Sequence, residues 1–172
     1  MRMRRSRSYP QGVNPHLSGY CSLERIVLIP AYKEDLYGPA IDDPESLVVC
    51  PVSMPDTDLG TVVIRLLRDQ RPRDFEMGFR GEAHRQRLAA RRKLLCKAFG
   101  VKAAKDWLGG STYVSIVATG GNITAAAWRR DGKQDAWSGQ KGDPVGTASL
   151  SDPAKVGSTM HRMLALRLPP IR

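Results

Sequence analysis

The sequence predicts an α/β fold of the α+β kind: a mainly antiparallel sheet with helices packed against it in a single domain. Three observations carry that expectation. Tyr113–Val117 and Asn122–Trp128 are β-rich runs on either side of Gly120-Gly121, the pattern of a tight hairpin. Leu59, Val62, Val63, Leu66 and Leu67 recur at helical spacing and make one apolar face. Finally, 172 residues with 41% hydrophobic and 26% charged side chains suffice for one buried core under a soluble surface.

In chain order, residues 1–19 carry Arg2, Arg4, Arg5 and Arg7 and then a Pro- and Gly-rich stretch, which predicts a disordered basic arm ahead of one domain over residues 20–172. Arg25-Ile-Val-Leu-Ile29 reads as a strand bounded by Pro30, and Asp42-Asp-Pro-Glu45 as a turn. Leu47–Val52 is a second strand, which Pro51 assigns to an edge or a bulge. A helix follows, with Asp56 and Asp58 in its first turn, where the helix dipole favours negative charge, and Pro72 as its limit. Glu82–Phe99 forms a basic helix with Leu88, Leu94, Leu95 and Phe99 inward, stopped at Gly100. A short helical piece over Lys102–Leu108 ends at Gly109-Gly110. After the hairpin, Arg129–Asp143 is a long polar loop. A last helix starts at Ser151-Asp-Pro153, with a capping residue and proline in the first turn, and turns Val156, Met160, Met163 and Leu164 inward.

Two segments are alike. Asp58-Leu-Gly60 leads to Arg65 and Leu67, and Lys155-Val-Gly157 leads to Arg162 and Leu164. A glycine in a helix costs about 1 kcal/mol against alanine. Each therefore calls for a close contact, most simply with the sheet, and the pair suggests two similar strand–helix units.

The net charge is +10 and unevenly placed. Residues 65–105 hold thirteen Lys or Arg against four Asp or Glu, whereas Glu34–Asp58 holds seven acids and no base. A basic face implies an acidic partner, nucleic acid or protein. No apolar run is long enough to span a bilayer, and no apolar stretch follows the N-terminal arginines, so neither a membrane segment nor a signal peptide is expected and the protein is placed in the cytosol. Cys21, Cys50 and Cys96 are odd in number, far apart and free of C-x-x-C spacing, so no metal site is expected and the thiols read as buried or idle.

Catalytic patterns are sparse. The chain has no phosphate loop and no nucleophile elbow, so neither enzyme nor cofactor is expected. Asp42-Asp43 lies beside Pro44 and reads as turn chemistry. His84, among Arg80, Arg85 and Arg87, is the one group that a ribonuclease could use for proton transfer beside phosphate; on a solvated helix it needs no such role. Arg85, Arg87, Arg91, Arg92, Lys93 and Lys97 could contact phosphates, which makes a nucleic-acid-binding protein the alternative reading. No aromatics interleave with them for base stacking.

Taken in order, the segments resemble the CdiI-type immunity family of contact-dependent growth inhibition. The motifs are the acidic turn and leucine–glycine helix start Asp56-Thr-Asp-Leu-Gly60, continuing through Arg71, and the step Phe99-Gly-Val-Lys102. The hairpin strands Tyr113–Val117 and Gly121–Trp128 and the Gly-containing helix Ser151–Arg167 complete the set. The resemblance covers residues 23–167. Ala126-Ala-Trp128 stands where the family pattern has a Pro-like ending, and the Arg-rich N-terminus extends beyond it.

The resemblance implies a protein that binds and neutralises the cognate C-terminal toxin domain, often a nuclease, of a surface-displayed effector. Because the chain is basic, either the toxin's contact surface is acidic, as where a metal-dependent nuclease gathers its carboxylates, or the acidic segment Glu34–Asp58 makes the contact; the first is the expectation. Exposure and charge nominate Arg80, Arg85, Arg87 and Arg91 on the basic helix, with Arg129, Arg130 and Trp137 in the long loop, as toxin-binding residues. Trp137 equally fits a core-capping aromatic.

Overall fold

The computed structural model describes residues 14–32, 41–42, 46–70, 82–103, 111–130 and 137–170. Among the described residues, eight strands and three helices follow in the order β1 (His16–Cys21), β2 (Arg25–Tyr32), β3 (Ile41–Asp42), β4 (Val48–Pro51), α1 (Asp56–Arg68), α2 (Glu82–Phe99), β5 (Thr112–Thr119), β6 (Asn122–Arg130), β7 (Trp137–Ser138), β8 (Val145–Ser149) and α3 (Pro153–Leu164). Every strand pairing is antiparallel. The expected α+β class is therefore the observed one.

The centre of the sheet is β1 against β5. This corrects the expected arm: His16–Gly19 belong to the central strand, and residues 1–13 lie outside the described residues. Leu17 and Tyr20, on opposite faces, are both buried, so the strand is apolar on each side where the sheet is covered twice. β2 also outruns its expected end, continuing through Pro30 to Tyr32. β4 pairs with β2 as far as Leu28 and β3 begins at Ala31, so Pro30 falls in the gap between them, where a missing N–H costs no ladder bond. β4 lies at the edge, as Pro51 predicts.

The Gly120-Gly121 hairpin forms as expected, with both glycines at positive φ (57° and 80°), the geometry of a two-residue turn whose twist matches the strands. α1 ends at Arg68, before Pro72, and the Gln70 side chain then bonds to both backbone groups of His16, tying the helix end to the central strand. In α3 the cap is Asp152, whose carboxylate accepts from the Lys155 amide at 3.0 Å, with Pro153 at the first helical position. Only the start of the expected 102–108 helix lies among the described residues, and Lys102 and Ala103 are not helical.

The two glycine-bearing segments belong to two equivalent halves. In each half a hairpin (β1–β2, β5–β6) receives two short strands on its outer edge (β3 and β4, β7 and β8) and then a helix (α1, α3). The spacing of 97 residues from Gly60 to Gly157 also carries Leu17 onto Val114 and Ile26 onto Ile123, and the hairpin pair His16–Ala31 onto Tyr113–Trp128. Ser18 is carried onto Ser115, and these two are registered opposite each other in the centre of the sheet. A pseudo-twofold axis therefore passes between them.

α1 and α3 cross on one face of the sheet and close the main core of Leu17, Ile26, Leu28, Leu59, Val63, Val114, Ile116, Ile123, Val156, Met160 and their neighbours. The glycines sit at this crossing, packed on the opposite helix and not on the sheet as expected. A Cβ on Gly60 would lie 1.8 Å from the Pro153 carbonyl oxygen, and one on Gly157 would lie 1.8 Å from the Asp56 carbonyl oxygen. The contact is reciprocal, as the pseudo-symmetry requires, and backbone approaches this close admit no side chain. Asp56 and His161 meet beside it, at 2.6 Å.

Candidate functional site

The second face of the sheet carries the features that could recognise a partner. α2 lies across β1 and β2 there, burying Leu95, Ala98 and Phe99 against Tyr20, Val27 and Ile29. Its C-terminus is closed by Gly100 at φ 71° and by the Arg25 guanidinium, which donates to the Ala98 carbonyl at 2.8 Å. The buried stripe differs from the expected one. Leu88 is exposed and Leu94 half-buried, while Arg91 takes the inward position one turn before Leu95. Arg91 donates to the Tyr20 hydroxyl and stands over the Tyr20 ring, 5.5 Å from its centroid. Burial lowers its pKa from the ordinary arginine value.

Tyr20 starts a run of aromatics. The Tyr113 ring is 4.9 Å from it, Trp137 is 5.7 Å and Trp128 6.0 Å from Tyr113, all tilted. The Trp128 indole N–H donates to the Ser115 hydroxyl at 2.7 Å, which fixes the ring over the pseudo-twofold axis. Trp137 is half-buried on β7, registered opposite Arg130 of β6. Arg130 is half-buried as well, and its Nε is shielded from solvent with no hydrogen-bond partner among the described residues.

Of the seven nominated residues, Arg130 and Trp137 thus stand side by side at the edge of the aromatic run, and Arg91 supports that run from α2. Arg129, next along β6, is committed to Asp143: its Nε–Oδ1 distance is 2.7 Å, and Asp143 also accepts from the Gln140 amide. Arg85 is exposed and paired with Glu82 one turn away at 2.7 Å, a contact of little energetic weight. Arg80 and the side chain of Arg87 lie outside the described residues, as does the side chain of His84. Sequence reasoning missed Tyr113 and Trp128 as parts of this surface, and Tyr20 as the buried residue beneath it. Their alternation with buried residues of the other face was the available signal.

The Arg129–Asp143 pair makes a checkable prediction. Its hydrogen bonds, that of Arg129 first, hold the Asp143 carboxyl below its ordinary value. The pair is at full strength above the unfolded carboxylate pKa of about 3.9 and weakens as pH falls through the lower folded value. In Asp143→Asn the urea midpoint should lose part of its fall between pH 5 and pH 2. An unchanged acid limb would show that this pair does not contribute.

Among the described residues no group of three or more His, Cys, Asp or Glu side chains is placed to hold a metal ion, and no helix is long and apolar enough to cross a membrane. Cys21, Cys50 and Cys96 are free thiols; burial raises the pKa of the first two.

Fold and surface define the class: a single α+β domain that closes one sheet face with a crossed helix pair and presents an aromatic and basic patch on the other. Solved structures share that fold, among them the following two. A protein of unknown function from Neisseria meningitidis superposes with a TM-score of 0.75 at 19% identity, covering 92% of this chain and 98% of its own. A chain of the CdiA-CT/CdiI toxin and immunity complex from Yersinia pseudotuberculosis superposes with a TM-score of 0.70 at 19% identity, covering 89% and 97%. No curated protein matches the sequence. The chain belongs to the CdiI family of CDI immunity proteins, whose pattern matches residues 24–166.

Proposed function

We propose that this protein binds the cognate C-terminal toxin domain of a contact-dependent growth inhibition effector in the cytosol and neutralises it without catalysis of its own. The observation that carries the reading is the family match over residues 24–166, which takes in the helix crossing and every described strand except β1. The toxin is a nuclease in this reading, and its carboxylate-rich surface meets the basic patch. Arg130 and Trp137 are the anchors, and Arg91 holds the aromatic run beneath them. Arg80, Arg85, Arg87 and Arg129 contribute long-range attraction, which raises the association rate more than the affinity.

The nucleic-acid reading loses one of its phosphate contacts, because Arg91 turns inward onto Tyr20. The test is titration of the full chain with the toxin domain encoded beside it, together with growth rescue of cells expressing that domain. Binding with a Kd in the nanomolar range and restored growth are the expected results. Absence of binding, with capture of generic RNA or DNA that weakens steeply with salt, would replace this reading by the nucleic-acid one.

A further inference from the structure

The pseudo-twofold axis lets each surface of one half be compared with the same surface of the other. On the first half, the face turned away from the helix crossing carries Tyr20, Val27 and Ile29, buried under α2, with Leu47 packed at their edge. The equivalent positions on the second half are Val117, Thr124 and Ala126 at the same spacing, and Val145 by strand register, one residue further on, where it pairs with Ala126. None of the four is buried: Val117 and Ala126 are half-exposed, Thr124 is exposed, and Val145 is 58% exposed. The covered half thus keeps large apolar side chains, and the open half small and β-branched ones.

We propose that this open face of β5, β6 and β8 is the surface on which the toxin domain seats an apolar segment flanked by carboxylates; the inference rests on the toxin-binding reading above. Three observations support it. First, the same face on the other half is covered by a helix of the chain itself, so the architecture has room for a covering element there. Second, Val117, Thr124, Val145 and Thr147 are stiff at χ1, so little rotamer freedom is lost when they are covered, and their mixed polarity keeps the free protein soluble.

Third, the charge at both ends of the face suits an acidic partner. At one end half-buried Arg130 stands beside Trp128 and Trp137, and a carboxylate that reaches its guanidinium gains a charge-assisted bond. At the other, Lys155 borders an open depression with Asn122, Thr147, Ser149 and Asp152.

The experiment measures toxin-domain affinity and growth protection for Thr124→Glu, Thr124→Arg, Val145→Glu and Val145→Arg in the full chain. Both positions are exposed, so the thermal midpoints should stay at the wild-type value. All four variants are expected to weaken binding at least about 100-fold, the loss typical of charge forced into a central contact. Leu23→Glu and Thr61→Glu, exposed elsewhere on the molecule, should stay within about 3-fold of wild type, as surface changes remote from a contact do.

Wild-type binding with all four variants binding as tightly would overturn this face and leave the toxin-binding reading standing. Weakening by glutamate but not by arginine would indicate diffuse charge repulsion and would overturn the face equally. A wild-type chain that binds no toxin overturns the reading itself, and the inference with it.

Discussion

Gly60→Ala should be strongly damaging although it adds a single methyl group. On propensity alone the change favours the helix by about 1 kcal/mol. The added Cβ, however, would sit 1.8 Å from the Pro153 carbonyl oxygen and 2.9 Å from the Gly157 amide nitrogen, and both are backbone atoms of a packed helix that no rotamer can move aside. The helices must separate, and the core beneath them opens with them. A net loss of about 3–5 kcal/mol is expected, at the upper end of overpacking costs, with a thermal midpoint lower by roughly 10–15 °C for a chain of this size. Gly157→Ala should match it, because the contact is reciprocal. The double variant should cost less than the sum, since one separation relieves both clashes. Melting curves of the three variants check this, and a midpoint within 3 °C of wild type for either single change would contradict the crossing geometry.

The second large effect is expected at Tyr20. Its side chain is fully buried between α2 and the sheet, its ring packs on Tyr113, and its hydroxyl accepts from Arg91. Tyr20→Ala removes the platform on which α2 rests and should cost about 3–5 kcal/mol, the range for deleting a buried aromatic ring. Tyr20→Phe keeps the ring and removes only the oxygen, so it isolates the bond to a charged donor, about 1.5–3 kcal/mol. Urea unfolding of both variants separates the terms. Equal losses would mean that the hydroxyl carries the site, and a negligible loss in Tyr20→Phe would assign it to the ring.

Much of the architecture was legible in the sequence for local reasons. The Gly120-Gly121 turn, the acidic first turn of α1 and the Asp152-Pro153 start of α3 are signals whose chemistry acts within a few residues, and each element formed where its signal stood. Signals that depend on distant partners misled. Pro30 looked like the end of a strand because its tolerance depends on β3 and β4 stopping short of it. His16–Gly19 looked like part of an arm because β1 is apolar only in relation to the two layers covering it. Leu88 was expected inward by helical spacing, yet Arg91 is the side chain that finds an aromatic to lie on. The candidate site was legible in part. Arg130 and Trp137 were nominated separately, but only the β6–β7 register shows that they are neighbours. Tyr20, Tyr113 and Trp128 come from three strands whose pairing no short motif encodes.

The spacing between the glycines has a consequence for assembly. The two halves share one core across the axis much as the subunits of a small dimer do, but a single chain joins them. A tether of this kind presents each half to the other at an effective concentration in the millimolar range or above. The fold therefore does not dissociate on dilution, as a pair of separate halves would. It also releases the halves from being identical: one can acquire a permanent cover in α2 while the other keeps its face bare, an asymmetry that a true homodimer could not encode in one gene.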